Sequence, residues 1–497
     1  MKKYISIVSI FALTLGLFGC KDYMDINYDP NSPAEENLTS DMILPAVEMN
    51  IAATYSYTLH VLGAYNAQYY AQQFGTPNYV AYSQFNVSAT NGSGTYTQLF
   101  QRALGNLEIV KKKATESGQN GVLLQATVLR AYAFQLLVDA FGEVPYAEAF
   151  DVTNLAPKYD KGEDIYNGLL KELDDALAQV KAGDQVATSY IFPSKSLNDW
   201  IGFANAQKLK LLSRMSGVKD VSADIQAVID GGNLPTADIQ IAGCWANASG
   251  QANPFFSEEK ATWGRATHNI IANLALVGTM KQDTYTDPRL AAWFEPNGSN
   301  EFQGSISGTN LSTVEDKYKT TAAWCETKFA YNTPVILIAQ TEVEFFLAEF
   351  YARKGDAGNA ATHYAAAIDA SFETAGVAGS AACIAQFPYD QSKWKEVIGI
   401  SKWVALAGIN GFEGYTEARR LDYPAFGAVK GSDMYAGTGA LDLTLYVPGT
   451  LYTPFQRFDQ VGDNHLLERF PYPESSTARN SNSPEFPGYL EPIFWGK

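Results

Sequence analysis

Cysteine and histidine are both scarce in this 497-residue chain, with four of each. The cysteines (Cys20, Cys244, Cys325 and Cys383) form no CxxC pair, and the histidines (His60, His268, His363 and His465) stand far apart with no second ligand-type residue at metal spacing. Neither a zinc site nor a thiol redox centre is expected, and no cofactor is implied. GxSxG, HExxH and GxxxxGK[ST] are missing, which removes the usual support for a serine hydrolase, a zinc protease or a phosphate-loop enzyme. Positive charge is also in deficit. With 36 Lys plus Arg against 53 Asp plus Glu, a net charge of −17 disfavours nucleic acid and anionic surfaces as partners. Paired carboxylates for glycoside hydrolysis leave no linear signature, and Glu258, Glu259 and Asp283 are the candidates for them.

What is present begins at the N-terminus. Lys2 and Lys3 precede an apolar run that stops at Leu17-Phe18-Gly19-Cys20, the pattern of a lipoprotein signal, although Phe18 is bulkier than the small residue usual there. Residues 1–19 are read as the signal peptide and Cys20 as the lipid-attachment site, so acyl chains would hold the chain at a membrane. No later segment is read as a membrane-spanning helix. Residues 20–40, rich in Asp, Asn, Glu, Pro and Ser, suit an extended tether, and residues 41–497 form the folded body. With Cys20 lipidated, three cysteines remain. Buried free thiols are one reading and a Cys244–Cys325 bridge the other.

Within the body, helical periodicity recurs. Leu129, Tyr132, Ala133, Leu136, Leu137 and Ala140 share one stripe, ended by Gly142 and Pro145. Ile165, Leu169, Leu173, Ala176, Leu177 and Val180 form another, with Glu172, Asp174 and Asp175 on its wet face. Thr341 and Glu344 have capping-box spacing ahead of the stripe Val343, Phe346, Leu347, Phe350 and Tyr351. Gly355-Asp356 then breaks the helix before Ala360, Tyr364, Ala367 and Ile368, so residues 341–375 read as a helix-turn-helix of about one tetratricopeptide length. Strand patterns are rare. Residues 75–97, 243–269, 297–334 and 427–450 read as long surface loops, where function usually sits.

The words LRAYAFQLLVDAFGEVPY (129–146), QTEVEFFLAEFYARKGD (340–356), ISKWVALAGINGFEGYTEARRLDYP (400–424) and ERFPYPESSTARNSN (468–482) follow one another along the chain, with INYDPNSP early and TDPRLAAWF at 286–294. Together they resemble the SusD/RagB family of surface lipoproteins. The resemblance implies a mostly α-helical fold: a single large domain with tetratricopeptide-like helix pairs as scaffold and long loops carrying the ligand site. It also implies an outer-membrane, surface-exposed location. The partner would be a SusC-type TonB-dependent transporter, to which an oligosaccharide, or in some branches a peptide, is delivered without catalysis. A surface glycoside hydrolase and a helical scaffold for envelope proteins are the alternatives.

Aromatic rings outside the helical stripes offer flat faces on which sugars or peptide side chains stack. Tyr79, Tyr82, Trp245, Trp263 and Trp324 are the candidate ligand residues, of which at least two are expected to face ligand and the rest to pack under their loops. Trp200 and Trp403 fall among helical apolar positions and are assigned to the core. Arg419 and Arg420 are expected to tie a C-terminal helix to neighbouring carboxylates.

Overall fold

The computed structural model describes residues 37–73, 78–262, 269–282, 284–309, 314–435, 439–462 and 465–496. The leader, Cys20, most of the tether, Trp263, His268 and Asp283 lie outside the described residues.

Helix α1 (Ser40–Ala53) runs through a π-turn (Thr54–Leu59) into α2 (His60–Asn66). Two carboxylates of α1 hold the loop that precedes residue 192: Asp41 accepts the Thr188 N–H at 2.7 Å, and Glu48 accepts Ser189 Oγ and the Tyr190 N–H, each at 2.6 Å. Helix α3 (Gly105–Ser117) ends at Gly118, whose φ of 66° is the left-handed conformation a glycine adopts without strain, and the chain reverses at once into α4 (Asn120–Phe141). This helix starts well before the Leu129 stripe because it is buried nearly all round. Contrary to expectation, α4 is long and apolar enough to cross a membrane, yet 94% of its most apolar window is buried inside the protein, the position of a core helix.

Helix α5 (Gly162–Gln179) buries Ile165, Leu169, Leu173 and Ala176 as expected. Glu172 departs from the wet face, because Arg130 of α4 (2.6 Å) and Lys111 of α3 (3.0 Å) both reach it. Helix α6 (Leu197–Met215) is capped by Ser196, and Trp200 is fully buried within it.

The helix-turn-helix is α7 (Gln340–Arg353) and α8 (Ala357–Ala375). Its start lies two residues before the capping-box reading. Glu342, not Glu344, turns back to accept the Ala339 N–H at 3.1 Å, while Thr341 donates its hydroxyl to the Ala367 carbonyl at 2.7 Å and so locks the two helices together. Glu344 pairs with His363 at 2.7 Å instead. Small Ala348, Ala352, Ala360 and Ala367 lie at the interface. The scaffold closes with α9 (Trp394–Ala407) and α10 (Gly411–Leu421). There Gly411 packs against α2 so tightly that an added Cβ would lie 2.5 Å from Ala64 Cβ. Trp403 is buried, its indole donating to the Ala67 carbonyl at 2.9 Å.

Five of these helices meet at a buried set of ion pairs. Arg214 of α6 reaches Asp139 of α4 and Glu413 and Glu417 of α10; Lys210 holds Glu342 (3.1 Å) and Glu413 (2.9 Å); Lys402 of α9 holds Glu417 at 2.9 Å. Arg420 bridges Glu349 (2.5 Å) and Glu417 (2.6 Å), as expected of it. Burial would raise the Glu349 carboxyl, but Arg420 overrides it and holds the group down at about 2. Arg419 departs from expectation by donating its hydrogen bonds to backbone carbonyls, those of Asp139 and Glu468.

Short strands lie mostly beside the stretches read as loops, and one of them, Glu326–Thr327, lies within 297–334. β1 (Tyr70–Gln72), β3 (Ile270–Ala272), β5 (Glu326–Thr327) and β4 (Phe294–Glu295) form an antiparallel sheet in that order, and β2 (Ile239–Ile241) pairs with β6 (Val335–Ile338). Strands of two to four residues are too short to display an alternating pattern. The protein is a mostly helical single domain around one main core, with a satellite core between α7, α8 and α9. Cys325 and Cys383 are buried, Cys244 is half-buried, and all three thiols are free.

Candidate functional site

After β1, Tyr79 has a φ of 63°, which places a bulky residue in the left-handed region. Such strain persists where surrounding contacts over-determine it. Here the contacts are visible. Tyr79 starts a single helical turn, Val80–Ser83, that puts Tyr82 on the same side, and the two rings stack with centroids 5.6 Å apart and planes 27° from parallel. Tyr65 of α2 lies behind both, 5.5 Å from Tyr79 and edge-on to Tyr82 at 6.2 Å.

Polar groups fix the rings. Tyr79 donates its phenolic proton to Glu259 Oε1, so Tyr57, whose hydroxyl is 3.1 Å away, donates to the Tyr79 oxygen. Asn269 donates to Glu259 Oε2 at 3.3 Å, and Asn91 donates to the Tyr82 hydroxyl at 3.1 Å. Glu259 itself is carried by a π-turn, Ser257–Thr262, and is nearly buried. Burial raises the Tyr57 phenol to about 12, and burial with the Glu259 charge pushes Tyr79 higher still. These phenols are therefore neutral hydroxyls at physiological pH. The result is a half-buried ledge of two stacked rings above a neutral hydroxyl and carboxylate network.

Of the five aromatic candidates, the structure brings together Tyr79 and Tyr82. Trp245 is buried, with its indole N–H on the Ile241 carbonyl at 3.3 Å. Trp324 is 1% exposed, donates to the Tyr318 carbonyl at 3.0 Å, and packs between the Tyr318 ring and Ala71 and Ile271 of the sheet. Both tryptophans lie under their own loops, where a buried indole satisfies its N–H locally. Tyr57 and Tyr65 were not singled out from sequence. The signal that could have found them is the tyrosine-dense run Tyr55, Tyr57, Tyr65, Tyr69 and Tyr70.

Among the described residues, no group of three His, Cys, Asp or Glu side chains is arranged to hold a metal. His60 is buried, which lowers it to about 4; its Nδ1 accepts the Gly411 N–H at 3.0 Å, so Nε2 carries the proton and donates to the Tyr70 hydroxyl at 3.1 Å. His363 stacks on Tyr351 with planes 4° apart.

No curated protein matches the chain. Solved structures share its fold. A SusD homologue from Bacteroides uniformis is 19% identical, covering 91% of this chain and 99% of its own, with a TM-score of 0.71. A chitin-binding SusD homologue from Flavobacterium johnsoniae is 18% identical, covering 91% and 98%, with a TM-score of 0.70. A protein described as chitin-binding is 20% identical, covering 92% and 100%, with a TM-score of 0.73. Over residues 30–438 the sequence matches the SusD-like family model described as starch-binding and associating with the outer membrane, and the chain belongs to that family.

Proposed function

We propose that this protein captures an oligosaccharide at the cell surface and passes it to a SusC-type TonB-dependent transporter, with no chemical step of its own. The observation that carries the reading is the stacked Tyr79–Tyr82 pair. Two rings with adjacent neutral hydroxyls match a sugar, whose C–H faces stack on aromatic surfaces while its hydroxyls exchange hydrogen bonds. Family membership and the chitin-binding names of two structural neighbours support a glycan over a peptide. Cys20 would anchor the protein in the outer membrane through lipid, and residues 20–40 would give the body its reach. Both Glu259 oxygens are held by protein donors, which suits positioning better than proton transfer.

Calorimetric titration with maltotriose and with triacetylchitotriose tests the reading. Binding of at least one, weakened by Tyr79→Ala or Tyr82→Ala, is the expected result. Gentle detergent extraction tests the hand-over, since the protein should co-elute with a β-barrel transporter. If no saccharide binds and the protein always emerges alone, both parts of the proposal fail.

A further inference from the structure

The π-turn and α2, which back the tyrosine ledge, also border a second concave surface. Tyr57 and Tyr65 point to the ledge, whereas Ser56 and His60 line a separate cleft of about 520 Å³ between the β2–β6 ribbon, the end of α8 and the α9–α10 turn. That volume is within the range of small-molecule sites. The π-turn at Thr54–Leu59 places Ser56 in the wall, and such turns are frequent at functional sites.

Three polar groups in this cleft have capacity no described residue uses. Ser56 is 9% exposed, and its hydroxyl has no hydrogen-bond partner among the described residues. Tyr70 is 6% exposed; because His60 donates to its oxygen, the Tyr70 phenolic proton is left for an acceptor in the cleft. Half-buried Gln240 from β2 presents an amide on the opposite wall. Trp293 and Phe329 supply the apolar surface between them, and Gly408 leaves room for the indole, since an added Cβ would lie 2.2 Å from that ring.

Buried donors and acceptors left unmatched are costly unless a ligand completes them. The occupant must therefore carry both donors and acceptors on a compact frame with an apolar face. An anion is disfavoured by the Asp238 and Glu373 carboxylates on the wall. A cation is disfavoured because Asp238 is already engaged by the Gln340 N–H (2.8 Å) and Thr374 hydroxyl (2.9 Å), with Lys328 at the margin. We infer that the cleft is a second binding site for a neutral saccharide, distinct from the Tyr79–Tyr82 ledge. The choice of sugar over other polyols rests on the glycan reading proposed above.

The experiment is a calorimetric titration of the full folded body with maltotriose and triacetylchitotriose, comparing wild type, Trp293→Ala, Gln240→Leu and the double variant Tyr79→Ala/Tyr82→Ala, with thermal melts as folding controls. Two sites per chain are expected in wild type for at least one of the two sugars. Trp293→Ala and Gln240→Leu should each weaken one site by about tenfold or more. The double variant should remove the other. Gln240→Leu keeps the side-chain bulk, so it remains informative if Trp293→Ala fails to fold. One site, lost in the double variant and untouched by both cleft variants, overturns the cleft and leaves the ledge reading standing. One site, lost in the cleft variants and untouched in the double variant, does the reverse. Absence of any binding overturns both.

Discussion

Tyr79 and Glu259, 180 positions apart in sequence, share a hydrogen bond in which the phenol donates to the carboxylate. This contact joins two segments read as separate loops, and it holds the left-handed Tyr79 in place against its backbone strain. Glu259 thus positions the ring on which the proposed ligand would stack.

Truncating the ledge should therefore cost affinity more than stability. Tyr79→Ala and Tyr82→Ala should each lower glycan affinity by about 2 kcal/mol, roughly thirtyfold, with little change in melting midpoint. Glu259→Ala should lower affinity about tenfold, whereas Glu259→Gln, which retains an acceptor for the phenol, should keep most of it. Titrations beside thermal melts check this. Normal binding by all of these variants would place the ligand elsewhere.

Core positions should respond in the opposite sense. Phe346 and Leu136 are buried on α7 and α4, so Phe346→Ala or Leu136→Ala leaves a cavity costing about 2–5 kcal/mol, with ligand affinity of the folded fraction unchanged. Urea unfolding measures the loss.

Charge removal should discriminate sharply by position. Arg214→Leu leaves Asp139 without the cation that faces it and takes one of the counter-charges from Glu413 and Glu417 in a dry interior, and should cost about 3–5 kcal/mol. Lys171→Ala, which breaks the exposed pair with Asp175, should leave stability close to that of wild type. Equal effects would contradict the burial argument.

Glu48 gives a pH test. Burial raises its carboxyl from 4.5 to about 7, against the opposing bonds from Ser189 and Tyr190. Between those values the folded state holds a proton that the unfolded state has released, so this group's contribution to stability falls as pH rises through that window. Glu48→Gln removes the term. Its stability relative to wild type should climb by up to about 3 kcal/mol between pH 4.5 and 8, measured by urea unfolding at each pH. A flat difference would sink the assignment.

The anchor is tested by Cys20→Ala, which should release the protein from the membrane fraction or leave an unprocessed precursor. Incorporation of a fatty-acid analogue in wild type and its loss in the variant check it. Persistent label without Cys20 would refute the lipid site.

The scaffold was legible where one physical signal dominates. Leu129 to Ala140 and the 341–375 unit repeat apolar residues at helical spacing, and both are helices. Glu172 was misplaced because an exposed-looking carboxylate is drawn inward when Arg130 and Lys111 converge from neighbouring helices, a tertiary fact absent from local pattern. The ledge was half legible. Tyr82 follows Tyr79 by one helical turn, so a local reading could pair them, but Glu259 and Tyr65 join only through the fold. Trp245 and Trp324 show the limit of composition: an aromatic ring in a polar loop is equally a platform or a plug, and only burial separates the two.

The ion pairs among α4, α6, α7, α9 and α10 also bear on how the protein comes apart. Lifting any one of these helices away would strand a charge of a neighbour in a medium that cannot solvate it, so partial opening there is as unfavourable as losing the whole assembly. The five helices should therefore open as one cooperative unit, their backbone amides exchanging with deuterium chiefly through global unfolding. The turn carrying Tyr79 and Tyr82 lies outside that unit, so its amides should exchange by local opening before those of the five helices do.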